Sequence, residues 1–345
     1  MLTFLIQLLL SAGLLLVFLL GSFPTFKYHD AALVIAGLAT IMILLVIIVP
    51  ETPRWLLIHG RRSKAILTLK LLRGKNSDIT SELYEIENDI AKTSDQKFNK
   101  ALKMLMTRAV LAPLSIVVCA LFFQQFGGIL AATTYSASIF KTAGVKDYRQ
   151  ISTYTTGVVQ LVVTVIAVFF VDTCGRRVLL MLSGVGTFIA TLMLGIHFYI
   201  TRPSLCAQNL NSSLEVLSTD VPDIDCNKHL APLAIVSLML FFSAFTIGWG
   251  PIPGILLGEL LPLRVRGVAS GIASFINWSL AVLVSGTYLD FTELVQPWSV
   301  WWCFAFVNLA SVVFVVVFLF ETKGKSLEQI EEHFRSKKCI RCCVM

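Results

Sequence analysis

Gln7, Gln124, Gln125, Gln160 and Asn277 are carboxamides set inside long apolar stretches, and the Trp278 indole follows Asn277 directly. A carboxamide carries donors and an acceptor oxygen but no titratable proton, so its chemistry is hydrogen bonding rather than proton transfer. In lipid such a group is costly unless it lines a polar cavity or binds one helix to the next. For Gln7 and Gln160 both readings stand; the adjacent Gln124–Gln125 pair and the Asn277–Trp278 pair point to a cavity. Acids are placed differently: Asp172, Glu259 and Asp290 all fall at the ends of apolar stretches. Phosphate loops, nucleophile elbows and zinc-hydrolase signatures are missing. Cys339 and Cys342 have metal-ligand spacing, but no second pair exists and His333 is a poor substitute. The expectation is no catalytic residue, no metal and no cofactor: the chain is not an enzyme.

A second signal is conformational. Gly248-Trp249-Gly250-Pro251-Ile252-Pro253 puts two glycines and two prolines inside one apolar stretch. Proline lacks the N–H that the carbonyl four residues earlier needs, so the helix must open there. Gly250, Pro251 and Pro253 are either a bending gate or a static kink.

The elements that must hold these residues follow from composition. Hydrophobic residues make up 56 % of the 345 and charged residues 14 %, with a mean hydropathy of +0.79. Such a chain has too little polar surface to fold as a soluble enzyme. Eight apolar stretches cover residues 2 to 20, 31 to 49, 109 to 130, 150 to 171, 178 to 200, 231 to 258, 266 to 289 and 298 to 320. Each is close to the roughly 20 residues that cross a bilayer as a helix, and lipid tolerates no unpaired backbone. Strand alternation is absent, which removes a barrel. The first stretch has no basic leader, runs too long and lacks a small-residue cleavage site, which argues against a signal peptide.

Charge placement sets the orientation. With a cytosolic N-terminus, 22 of the 28 Lys and Arg fall in inner segments and six in outer loops, as the positive-inside rule requires for two cytosolic termini. The net charge of +7 is then topological, and no nucleic acid is needed to explain it. The outer loop 201 to 230 carries the sequon Asn211-Ser212-Ser213, usable only on the lumenal or external face. It also carries Cys206 and Cys226, placed where a disulfide can form.

Val49-Pro50-Glu51-Thr52-Pro53-Arg54 after the second span is echoed by Phe320-Glu321-Thr322-Lys323-Gly324 after the eighth. Six spans lie between the marks, so the repeating unit is a six-helix bundle. Residues 1–53 are then the last two helices of an N-terminal bundle, and 109–320 a six-helix C-terminal bundle. Between them, 54–108 is a cytosolic linker of amphipathic helices, patterned on Ile66, Leu69, Leu72, Leu83, Ile86 and Ile90; 321–345 is a cytosolic tail. Arg61-Arg62 and Lys100 to Lys103 are either a solvated face or a contact with anionic membrane lipid. Cys342-Cys343-Val344-Met345 match a prenylation box, with palmitoylation of Cys339, Cys342 or Cys343, or chance similarity, as alternatives.

Five segments resemble the signatures of the sugar-porter family within the major facilitator superfamily. They are Pro50-Glu51-Thr52-Pro53-Arg54-Trp55-Leu56-Leu57, Gln124-Gln125-Phe126-Gly127-Gly128, Asp172-Thr173-Cys174-Gly175-Arg176-Arg177, Gly248 to Pro253, and Glu321-Thr322-Lys323-Gly324. They stand in the family's order and at the matching helix ends. The segment from Gly258 to Gly271 looks most like facilitative glucose transporters of the member 6 and member 8 branch. The resemblance implies an all-α membrane protein with the major facilitator fold, its eight transmembrane helices matching helices five to twelve of twelve; helices one to four have no counterpart.

By the same resemblance, the chain carries hexose passively by alternating access, in a plasma membrane or an endosomal or lysosomal membrane. The lack of a mid-span acid agrees with passive movement. Gln7, Gln124, Gln125, Gln160, Asn277 and Trp278 match positions that line the family's sugar cavity, where amides meet hydroxyls and a ring covers an apolar sugar face. Tyr135 matches a tyrosine that helps close the outer gate; an interfacial anchor is the alternative. Glu51, Arg54, Asp172, Arg176, Arg177, Glu259, Arg264, Arg266 and Glu321 match residues whose ion pairs tie the two bundles together on the inner face. Exposed pairs are worth about 0–1 kcal/mol each, weak enough for a latch that breaks in every cycle. The pattern is broken at Leu130, where an asparagine is usual, at Gly254, where a tryptophan is usual, and at Ala281 and Thr246, where some members keep an asparagine and an acid respectively. These departures leave another polyol or a disaccharide open as substrate. The remaining alternative is a non-transporting partner of a full-length homologous carrier.

Overall fold

The computed structural model describes residues 2–23, 28–74, 78–94, 106–202, 226–261 and 265–321, with no strand among the described residues. The helices are α1 (Leu2–Ser22), α2 (Tyr28–Ile48), α3 (Pro53–Ile58), α4 (Arg62–Arg73), α5 (Thr80–Ser94), α6 (Arg108–Phe126), α7 (Ile129–Thr134), α8 (Ser136–Thr142) and α9 (Tyr148–Ser152). A π turn (Thr153–Val159) leads into α10 (Gln160–Cys174), followed by α11 (Arg176–Ile200), α12 (Cys226–Ile247), α13 (Ile252–Leu260), α14 (Arg266–Val295) and α15 (Pro297–Phe318). By length and composition, seven helical runs among the described residues can cross a membrane. The eighth expected span is α1, whose apolar run is described over Ile6–Ser22.

Two compact units divide the chain: one joins Met1–Pro24 to Thr107–Met345, the other is Thr25–Met106. In the larger unit α11 packs against both α12 and α15. Small residues set the spacing, for a Cβ on Gly184 would meet Val312 at 2.7 Å and one on Gly186 would meet Ala244 at 2.7 Å. Lipid gives no hydrophobic drive between helices, so close backbone approach and interhelical hydrogen bonds do the joining. Buried Asn308 on α15 supplies such a bond, donating Nδ2 to the Gly127 carbonyl at 3.3 Å. α1 lies on the π turn and α10. There the Ser11 and Thr164 hydroxyls meet at 3.1 Å, Thr153 donates to the Phe18 carbonyl at 3.1 Å, and a Cβ on Gly157 would strike Leu15.

In the smaller unit α2 is exposed along its described side chains, Ala31 apart. Pro53 opens α3 and the Thr52 hydroxyl accepts from the Trp55 N–H at 3.3 Å, satisfying a donor the first turn would otherwise strand. α3, α4 and α5 close over Leu69, Ile79 and Leu83, with Leu57 and Ile66 beside them. Leu72, expected on the same face, is exposed instead. Arg73 holds Glu82 through two bonds of 3.0 and 2.8 Å, and Arg62 holds Glu87 at 2.6 Å. The Arg73 guanidinium keeps the Glu82 carboxyl below the ordinary carboxylate range.

Candidate solute-binding site

The two glutamines of α6 point their amides at different partners. Gln124 Nε2 donates to the carbonyls of Trp249 at 2.7 Å and Gly250 at 3.1 Å. Those carbonyls lie where α12 ends and α13 begins, and Pro253 has no N–H to offer the Trp249 oxygen four residues back. Gln124 therefore fills an acceptor that the proline leaves open. Ser183 of α11 holds the same break, donating to the Ala244 carbonyl at 2.6 Å and accepting from the Trp249 N–H at 3.1 Å. Gly250, Pro251 and Pro253 thus form a break tied down by Gln124 and Ser183. Sequence reasoning passed over Ser183; its position between Leu182 and Gly184, in a run of small residues, was the available signal.

Gln125 is only 7 % exposed. Its Nε2 donates to Asn277 Oδ1 at 2.8 Å, bringing together two of the predicted amides, while its Oε1 has no protein partner. Trp278 is 66 % exposed on α14. Gln160, buried at the start of α10, likewise leaves Oε1 without a partner. Thr156, one turn earlier in the π turn, and Thr246, near the end of α12, are buried with unpartnered hydroxyls. Gln7 lies on α1, where its backbone carbonyl accepts from Ser11 at 3.0 Å. A buried polar atom without a partner costs about 1–3 kcal/mol, so this set has capacity for a hydroxyl-rich solute or for water. Thr156 was not foreseen, because a threonine in Thr153-Tyr154-Thr155-Thr156 reads as an ordinary helix residue.

Tyr135 donates to the Ser285 carbonyl at 3.1 Å and stacks on Tyr288 with ring centroids 5.1 Å apart. It fastens the α7–α8 junction to α14.

At the other end of the unit, Glu321 accepts the backbone N–H groups of Arg176 at 3.0 Å and Arg177 at 3.1 Å. A carboxylate on the first N–H groups of α11 meets the positive end of the helix dipole. Gly175 makes room: its φ is +87°, and a Cβ there would lie 2.8 Å from Glu321 Oε2. Arg176 pairs with Glu259 of α13 at 3.1 Å, Arg177 donates to the Val316 carbonyl at 2.6 Å, and Arg266 donates to the Leu261 carbonyl at 3.2 and 3.0 Å. These described bonds join helix ends within the larger unit. Glu51 and Arg54 are exposed residues of the smaller one. The Asp172 and Cys226 side chains, and Arg264, Cys206, Asn211 and Cys342, lie outside the described residues.

A family model described as "Sugar (and other) transporter" matches residues 1–334. The facilitated trehalose transporter Tret1-2 homolog of Drosophila sechellia is 32 % identical over 334 residues, covering 97 % of this chain and 64 % of the relative. The facilitated trehalose transporter Tret1 of Bombyx mori is 34 % identical over 322 residues, covering 93 % and 59 %. Among solved structures, the proton:xylose symporter XylE bound to 6-bromo-6-deoxy-D-glucose superposes with a TM-score of 0.62 at 27 % identity, covering 90 % of this chain and 59 % of that one. The inward-open form of the xylose transporter XylE from E. coli superposes at 0.67 and 25 % identity, covering 94 % and 64 %. The chain spans less than two thirds of the length of these relatives. With the broken helix, the amides of α6 and α14 and the match over residues 1–334, this chain belongs to the sugar transporter family, a multi-pass membrane protein of the major facilitator superfamily and not an enzyme.

Proposed function

We propose that the chain carries a hexose passively across its membrane by alternating access, with both termini cytosolic. The observation that carries this is the Gln125–Asn277 pair, a buried amide couple whose free Gln125 oxygen is the right chemistry for a sugar hydroxyl. Gln124, Gln160 and Gln7 supply further neutral amides, and exposed Trp278 offers a ring for a sugar face. Gly250, Pro251 and Pro253 serve as the bending point, and Tyr135 as an outer closure. The inner-face residues Arg176, Arg177, Glu259, Arg266 and Glu321 act as the latch, joined by Glu51, Arg54, Asp172 and Arg264. The test is saturable uptake of radiolabelled glucose into proteoliposomes, with and without competing sugars. Linear uptake equal to that of empty vesicles sinks the reading.

A disaccharide is the second reading. A Cβ on Gly254 would meet nothing within 4 Å, so space stands open next to the break, and the relatives named above are trehalose transporters. Trehalose outcompeting glucose would select it. Co-purification with a full-length homologous carrier, without uptake, would select a partner role.

A further inference from the structure

α4 has apolar residues on two opposite faces, and only one is covered. Ala65, Thr68 and Leu69 are buried, with Leu69 in the small core of α3, α4 and α5. Leu67 and Leu71, one turn apart, are 68 % and 70 % exposed. At 3.6 residues per turn each lies about 160° around the helix from Leu69. A helix with a buried face ordinarily turns polar residues outward, so two bare leucines there need a cover.

The cations around them indicate its chemistry. Arg62 and Arg73 are held by Glu87 and Glu82, whereas Arg61, Lys64 and Lys70 make no ion pair among the described residues. Lys64 shares the outer face, three residues before Leu67. The Arg61 guanidinium lies over the Trp55 ring, 5.8 Å from its centroid, and His59 stacks on the same indole at 4.0 Å. Indoles and basic side chains are the usual anchors at headgroup level. The chain also limits where this patch can be, because α3 starts five residues after α2 ends. Those five steps reach ~18 Å at most, so the patch stays near the end of an apolar, membrane-length helix. Leucines flanked by lysines whose stems can lie along the acyl boundary describe a helix resting in the surface of an anionic bilayer.

We propose that α3 and α4 form a docking face for anionic phospholipid. Leu67, Leu71 and Trp55 enter the acyl boundary, and Arg61, Lys64 and Lys70 meet lipid phosphate oxygens. This face is independent of the sugar reading, so a failed uptake assay leaves it standing.

The test places the full chain in nanodiscs of phosphatidylcholine alone, or of an equal mixture with phosphatidylserine, and follows amide hydrogen exchange over residues 62–73. Exchange is expected to slow roughly tenfold in the anionic discs, with each of Lys64→Glu and Lys70→Glu releasing about fivefold of that protection, and with salt eroding it. The Leu67→Ser/Leu71→Ser double variant is expected to lose the lipid dependence. Equal exchange of the unaltered chain in both discs overturns the proposal. Protection reproduced in neutral discs by added inositol hexakisphosphate also overturns it, since the cations would then serve a soluble phosphate. Should the double variant also loosen residues 80–94, the α3–α5 core has been lost and Lys70→Glu decides: lipid dependence unchanged by that exposed substitution refutes docking.

Discussion

Adjacent glutamines on α6 have unequal work. Gln125 is an internal acceptor's partner: its amide nitrogen is spent on Asn277 and its oxygen has no protein partner. Asn277→Ala leaves both ends of a 7 % exposed amide without a protein partner. The expected outcome is a half-saturation constant raised about tenfold, equivalent to ~1.4 kcal/mol of lost binding, read in the uptake assay. Gly175 is constrained by backbone rather than by solute. Its φ of +87° with ψ of 152° is a region nearly closed to other residues, and Glu321 occupies the space of a Cβ. Gly175→Ala should therefore lower stability by about 1–3 kcal/mol, measured by thermal unfolding in detergent. The amide pair was legible in the sequence because an amide in lipid must have a reason. Which of the two glutamines bonds the backbone was not, because that depends on where Pro253 leaves a carbonyl bare three apolar stretches further along the chain.

The break between α12 and α13 is the element in which the local rules are violated, and its repair is specific enough to test by coupling. Pro253 removes the donor for the Trp249 carbonyl, and Gln124 replaces it. Pro253→Ala restores a backbone N–H at that register. Gln124→Leu should cost about 1–3 kcal/mol in the native background and distinctly less beside Pro253→Ala, a coupling of roughly 0.5–3 kcal/mol in a double-mutant cycle of melting data. Simple additivity would sink this account. Between α4 and α5, two-pronged bonding to Arg73 depresses the Glu82 carboxyl. A depressed acid contributes stability that is complete above its unfolded value and disappears as pH falls through its lower folded value. Exchange protection of α4 and α5 should therefore begin to weaken as pH falls into the ordinary carboxylate range and lose this contribution in full only below the depressed folded value. The prolines made the break readable. Ser183 was harder to read: its place in a run of small residues marks a close helix contact, but not that its hydroxyl bridges the two sides of a broken neighbouring helix.

On the scale of the molecule, the apolar stretches were readable because lipid permits few solutions and hydrophobic length gives spans, and the spacing of Leu69 and Leu83 gave part of the small core of α3, α4 and α5. Where the charges at these helix ends bond was not readable, because Arg176, Glu259 and Glu321 meet only when α11, α13 and the end of α15 pack. Gln7, Gln125, Gln160 and Asn277 all fall in the unit made of Met1–Pro24 and Thr107–Met345. On the proposed reading, binding draws on residues of that unit alone, whereas flux needs bodies that move against each other. The two can be separated by measuring stability instead of transport. A ligand that binds only the folded state at one hundred times its dissociation constant adds ~2.7 kcal/mol, which in a unit of this size shifts unfolding by about 5–10 °C. Saturating hexose should raise the melting temperature of the purified chain on that scale, Asn277→Ala should cut the shift, and an excess of a sugar that fails to compete should leave it untouched. A shift kept in full by Asn277→Ala would place the sugar elsewhere, and no shift with any hexose or disaccharide would remove these amides from sugar recognition even if the chain proved to be a carrier of something else.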